Sequence, residues 1–256
     1  MSCLSKRRLR HWFWGLCMVV LGVPGAFAQS CKVQSGEAMA AVVELYTSEG
    51  CSSCPPADQW LSTLRPLDLG GAPVVIQAFH VAYWDYIGWV DRFASPAHTL
   101  RQRQLAQWNG LRSIYTPQLL LNARDWGDWH KAGAALPAGR VAARASIAVE
   151  QSAPDRFEAV VQVAAAAPSS WGAYWTVTEQ GHSSTVRAGE NAGAFLRHAH
   201  LVRQYTPVGD HRSDPSRLQR ITFLAVPATP GHTRRINLVV FDSKTGATLQ
   251  AVTFAC

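Results

Sequence analysis

Ala41-Val42-Val43-Glu44-Leu45-Tyr46-Thr47-Ser48-Glu49-Gly50-Cys51-Ser52-Ser53-Cys54-Pro55-Pro56-Ala57-Asp58 is the stretch on which the reading of this chain turns. Its first six residues are an apolar run of strand character. Pro55 onward reads as the opening of a helix that continues to about Arg65, with Ala57, Trp60, Leu61 and Leu64 at helical spacing. Prolines are tolerated in a first helical turn because their missing N–H would have had no partner there. A Cys-x-x-Cys at such a helix start is placed for thiol–disulfide chemistry. Unpaired amides and the positive end of the helix dipole favour a thiolate over a thiol, lowering a cysteine pKa from about 8.5 toward neutrality. The second cysteine lies one turn on, close enough to close a disulfide.

From this stretch to about Leu136 the pattern alternates strand and helix. Val74 to Val81 is a near-continuous apolar run, the mark of a strand covered on both faces of a parallel sheet. Ser95 and Pro96 open a second helix as N-cap and first residue, and it runs to Trp108 and stops at Asn109-Gly110. Tyr115-Thr116-Pro117 leads into a strand at Gln118–Asn122, and Asp128 to Leu136 reads as a short helix. Beyond Pro137 the texture changes. Seven runs, 145–151, 157–165, 173–179, 199–205, 218–226, 236–242 and 248–254, read as strands separated by turn signals such as Pro230-Gly231. They suggest an antiparallel sandwich or curled sheet. The expected domains are therefore a leader at 1–28, an α/β domain at 29–140 and a β-rich domain at 141–256.

The leader has a basic region (Lys6, Arg7, Arg8, Arg10), an apolar stretch from Trp12 to Val23 too short to span a bilayer, and an Ala26-Phe27-Ala28 cleavage site. It predicts export to a periplasm or beyond, with no membrane attachment after cleavage. Removing its four basic and no acidic residues takes the whole-chain charge of +7 to +3. That balance, without basic runs interleaved with aromatics, argues against nucleic-acid binding. With 48% hydrophobic residues, the chain can bury a sizeable core. Cys31, Cys51, Cys54 and Cys256 remain, and four cysteines allow three pairings. If Cys51 pairs with Cys54, then Cys31 pairs with Cys256 or both stay free. Chain termini often lie close together and an exported chain meets oxidising conditions, so the expectation is a structural Cys31–Cys256 bond.

The order of strand, Cys-x-x-Cys helix, strand, helix and X-Pro strand resembles the thioredoxin fold, in which the matching proline, here Pro117, is cis and faces the cysteines. Pro117 as an ordinary strand-entry residue is the alternative. Residues Glu44 to Asp58 resemble more narrowly the secreted, thioredoxin-like family 1223 of domains of unknown function. So do Phe79-His80-Val81, Tyr83-Trp84-Asp85-Tyr86-Ile87-Gly88-Trp89, Phe93-Ala94-Ser95, Tyr115-Thr116-Pro117-Gln118 and Gly189-Glu190-Asn191-Ala192-Gly193. The resemblance implies export and a fold class of α/β thioredoxin-like domain followed by an antiparallel all-β, sandwich-like domain. It implies no established reaction. Ala123 to Gly127 departs from the pattern by not showing the second strand of a hairpin after Asn122.

The expected function is thiol–disulfide exchange on exported protein thiols or disulfides, with no cofactor. Cys51 is the expected nucleophile and Cys54 the resolving thiol; a purely structural disulfide is the alternative. Glu44 is the candidate buried acid that takes the Cys54 proton, its pKa raised by desolvation, or else a strand-edge carboxylate. Pro117 would offer a backbone edge to a substrate peptide. Two other functions stay open: a metal-handling protein, copper above all, using Cys51, Cys54 and His80, and a non-catalytic binding module. His198 and His200 alternate on an expected strand without a third ligand in view. Tyr83 to Trp89 would be a lid near the thiols or a plug at the sheet end, and Gly189 to Gly193 lacks the context of a phosphate loop.

Overall fold

The computed structural model describes residues 31–65, 73–132, 136 and 141–255. The expected leader and Cys256 lie outside them, and with Cys256 the expected Cys31–Cys256 bond. Cys31 Sγ stands 3.6 Å from the carbonyl oxygen of Ala255. The first half contains β1 (Lys32–Gln34), β2 (Ala41–Thr47), α1 (Pro55–Thr63), β3 (Val74–His80), a 3₁₀ turn (Ala82–Ile87), α2 (Pro96–Trp108), β4 (Gln118–Leu121), β5 (Arg124–Asp125) and a second 3₁₀ turn (Trp129–Lys131). The second half is all strand: β6 (Ala145–Ala153), β7 (Arg156–Val163), β8 (Ser170–Glu179), β9 (His182–Thr185), β10 (Phe195–His198), β11 (Leu201–Arg212), β12 (Gln219–Leu224), β13 (Arg234–Asp242) and β14 (Thr248–Phe254). None of the described helices is long and apolar enough to cross a membrane.

The expected fold class is not what the chain builds. The described residues are 45% strand and 15% helix, and no separate α/β thioredoxin-like domain forms among them. One mixed sheet of eight strands, ordered β14-β13-β8-β11-β3-β2-β4-β5, draws on both halves of the sequence. β3 lies parallel to β2, and its outer edge is taken by β11, where Leu201 pairs in parallel with Ala78. β11, β8, β13 and β14 then follow antiparallel. A helix–strand unit leaves a free edge of amides and carbonyls, and here the later strands complete it. The remaining strands form an antiparallel sheet, β1-β6-β7-β12, and a β9–β10 ribbon.

One face of the large sheet is covered in two parts. Val43 and Leu45 of β2 pack with Ala57, Leu61 and Leu64 under α1. Further along, Ala173, Trp175 and Val177 of β8 pack against Ile147, Phe157 and Val161 of the four-stranded sheet. Burying each such leucine or isoleucine contributes about 1.5–3 kcal/mol. The opposite face curls on itself and takes α2, gathering Val42, Tyr46, Phe79, Leu105, Tyr174 and Val239. The functional residues sit on the first face, and the β9–β10 ribbon meets α1 there.

Two local expectations change. Asn122 and Ala123 both have positive φ, 51° and 63°, and turn β4 into β5, whose Arg124 pairs with Leu121. Two consecutive left-handed residues match the twist of a two-residue hairpin, so the hairpin strand that Ala123–Gly127 did not show is present. The helix expected from Asp128 to Leu136 is a 3₁₀ turn at Trp129–Lys131; residues 133–135 lie outside the described set. The second helix follows its signals. Ser95 Oγ accepts from the Ala97 amide at 3.2 Å, and Gly110 takes φ +66° just past its end.

Candidate functional site

Cys51 and Cys54 form a disulfide with their Cα atoms 5.4 Å apart. Cys54 is the N-cap of α1, and its carbonyl accepts from the amides of Ala57 and Asp58 at 2.9 and 3.2 Å. Both cysteines are fully buried, whereas Ser52 and Ser53 between them are exposed. Solvent therefore reaches the loop but not the sulfurs.

Two segments far apart in sequence hold the loop down. Asn191 donates from Nδ2 to the carbonyls of Glu49 and Cys51, both at 2.9 Å. The Ser52 amide donates to Glu190 Oε2 at 3.0 Å, and that hydrogen bond holds the Glu190 carboxyl below its usual range. Ile87 fits between two glycines. A Cβ on Gly50 would stand 3.1 Å from Ile87 Cδ1, and a Cβ on Gly189, where φ is +75°, would stand equally close. Trp84 Nε1 donates to Thr116 Oγ1 at 2.7 Å, next to the cis Thr116–Pro117 bond. The aromatic segment 82–87 thus spans from the cysteine loop to Pro117.

Beside the disulfide lies a cluster of histidines and carboxylates. His80, at the end of β3, places Nδ1 2.6 Å from Asp91 Oδ2. His198, at the end of β10, places Nε2 2.9 Å from Glu49 Oε1. The two rings meet edge to face with centroids 4.9 Å apart, and Phe93 packs on both. Burial opposes charge on Asp91, but His80 and the amides of Glu49 and Phe93 outweigh it and hold the carboxyl low. Asp58, on α1, accepts from Thr47 Oγ1 at 2.8 Å, and burial raises its pKa. A pocket of about 530 Å³ lined by Asp58, Gln59, His182, Phe195 and His198 opens onto the cluster.

A family model described as "Protein of unknown function (DUF1223)" matches residues 42–241. The chain belongs to the DUF1223 family. No curated protein matches this DUF1223 chain. Among solved structures, the crystal structure of protein AGR_C_4864 from Agrobacterium tumefaciens is similar, at 24% identity and a TM-score of 0.57, covering 86% of this chain and 96% of that one. HBP35 of Porphyromonas gingivalis is similar at 12% identity and a TM-score of 0.54, covering 86% of this chain and 76% of that one. These likenesses show the fold alone.

Of the residues singled out from the DUF1223 sequence, the structure gathers Cys51, Cys54 and His80 around the start of α1, with Pro117 linked to them through Trp84. It does not bring Glu44 to the cysteines. Side chains alternate along a strand. Val43 and Leu45 face α1, so Glu44 faces the other way, where Arg101 Nη2 at 2.6 Å and the Tyr174 hydroxyl at 2.5 Å bind its Oε1. His198 and His200 do not share a ligand set either. β10 runs on into β11 through a kink at Ala199-His200, with His198 opposite His182 and Leu201 opposite Glu179; His200 takes φ +54° there and its Nδ1 meets Gln180. Burial holds the His200 pKa down at about 4. Sequence reasoning missed Asp58, Glu49 and Asp91 as partners of the histidines, and Glu190 and Asn191 as the cover. The available signal was that all except Asp91 fall inside the quoted motifs, as conspicuous polar residues in otherwise apolar or glycine-rich runs.

Proposed function

We propose that the Cys51–Cys54 pair is redox-active and exchanges disulfides with exported protein thiols, opening only when the Glu190–Asn191 cover lifts. The observation that carries this reading is the position of the disulfide. It closes the turn that leads into α1, with Cys54 as the N-cap, where the helix amides favour a thiolate, and the segment fastened over it is a loop. In the oxidising direction, a partner thiolate attacks Cys51 Sγ and the Cys51–Cys54 bond breaks, with Cys54 leaving as a thiolate. A second partner thiol, losing its proton, then attacks the partner sulfur of the mixed disulfide and releases Cys51 as a thiolate. The partner dithiol is oxidised by two electrons and the Cys51–Cys54 pair is reduced by two; the reverse steps run in the reducing direction. Glu44 takes no part, because it faces the other side of the sheet. Export to a periplasm or beyond, which the leader suggests, would supply such partners.

Replacement of Cys54 by serine tests this. The Cys54→Ser chain should accumulate mixed disulfides through Cys51 with a disulfide-bearing peptide, Cys51 displacing one peptide sulfur as a thiolate and no resolving thiol remaining to release the other; the adduct is trapped by acid quench and read by mass. A native pair that resists dithiothreitol, with no mixed disulfide in Cys54→Ser, would leave only a structural bond.

A further inference from the structure

Three metal-type donors converge where no thiol chemistry requires them. A carboxylate oxygen of Asp58 and one ring nitrogen each of His80 and His198 all lie within 4.8 Å of one another. His80 is 1% exposed and His198 5% exposed, yet His80 Nε2 and His198 Nδ1 have no hydrogen-bond partner among the described residues. Leaving a buried polar atom unpaired costs about 1–3 kcal/mol, and two such atoms beside a carboxylate indicate a missing common partner.

We propose that Asp58, His80 and His198 bind one divalent transition-metal ion of the zinc class, with an open coordination position facing the pocket. Each histidine has its other nitrogen on a carboxylate, Asp91 for His80 and Glu49 for His198. Carboxylates in that outer position fix the tautomer and aim the remaining lone pair at the metal. Here they put the proton on His80 Nδ1 and on His198 Nε2, and leave His80 Nε2 and His198 Nδ1 as donors. Two imidazoles and one carboxylate are the ligand set of zinc sites that keep a fourth position for water or substrate, and imidazole suits zinc and its neighbours better than calcium or magnesium. Bonds of about 2.0–2.2 Å require donor atoms roughly 3.3 Å apart, so the site closes by side-chain adjustment. Asp58 is the member able to move, since it lies on a helix face at the pocket rim and is only partly buried. The cysteines are absent from the set because their sulfurs are bonded to each other. This differs from the copper site of Cys51, Cys54 and His80 that the sequence left open as an alternative.

The test uses the full chain stripped with a chelator and titrated with zinc against a chromophoric competitor. The expected result is one zinc per chain, with affinity lowered about 10–100-fold in Asp91→Asn and by more in Asp58→Asn. Cys51→Ser/Cys54→Ser should bind as the parent does, which separates this site from the redox pair. Cobalt in place of zinc should show weak visible bands without an intense thiolate charge-transfer band. Circular dichroism on Asp58→Asn, a rim substitution, confirms that lost binding is not lost folding. No zinc uptake, uptake unchanged in Asp58→Asn, or a thiolate band abolished by the cysteine substitutions would each overturn the assignment.

Discussion

The two faces of β2 and β3 each bury charged groups, and they treat them differently. On the face turned toward α2, Glu44 Oε1 is bound by Arg101 and Tyr174, Tyr174 accepts from Gln77 at 3.1 Å, and Gln77 Oε1 accepts from Thr176 at 2.5 Å. Arg101 also lies 3.8 Å over the Tyr174 ring. This network ties β2 and β3 to β8 and α2, and one positive group matches one negative. Glu44 Oε2 lacks a partner among the described residues, but its carboxylate is already neutralised by the guanidinium. On the face turned toward α1, the outer nitrogens of His80 and His198 are as well bound as anything opposite, while their inner nitrogens have no partner among the described residues. A charge-matched polar network that ties elements together fixes a fold, whereas buried, unpartnered ring nitrogens on histidines whose donor atoms converge with Asp58 beside a pocket leave room for a ligand.

The largest expected effect separates scaffold from site. Arg101→Ala removes one member of a buried pair and strands Glu44, and such changes cost about 3–5 kcal/mol. It should lower the denaturant midpoint strongly, and Glu44→Gln combined with Arg101→Met should recover much of the loss, because a buried pair can often be replaced without penalty. On the other face, Asp58→Asn should be neutral or stabilising in metal-free protein, since burial disfavours the charged carboxylate. Binding residues often carry that trade-off between stability and function. Equal losses from Arg101→Ala and Asp58→Asn in urea unfolding would erase the distinction.

This contrast marks where the sequence could be read and where it could not. Helices α1 and α2 announce themselves through Pro55-Pro56, Ser95-Pro96 and Asn109-Gly110, which are local chemistry. Seven of the nine C-terminal strands are legible for the same reason, as runs between turn residues, while the short β9 and β10 are not. The joining of the halves is not, because β11 finds the edge of β3 across more than a hundred residues and that pairing leaves no local trace. His198 likewise meets His80 and Asp58 only through that topology. Glu44 fails differently. The resemblance to thioredoxin-like proteins suggested an acid beneath the cysteines at about its place in the chain, but the alternation with Val43 and Leu45 already assigned it to the other face.

The cover over the disulfide carries the smaller effects. Asn191→Ala removes two hydrogen bonds to the carbonyls of Glu49 and Cys51, each worth about 0.5–1.5 kcal/mol. The expected result is modest destabilisation together with faster reduction by a phosphine, followed by thiol counting with time. An unchanged rate would mean that something other than this loop controls access. Glu190 adds a weaker, pH-dependent hold. Its folded pKa lies below the unfolded value because the Ser52 amide donates to the carboxylate. Its contribution is therefore present above the ordinary carboxylate range and is lost as pH falls through the lower folded value. Reduction should speed up on that acid side in the parent and stay flat in Glu190→Gln, which starts without the charge. A parent and a Glu190→Gln chain with the same pH profile would remove Glu190 from the latch and leave Asn191 to hold it.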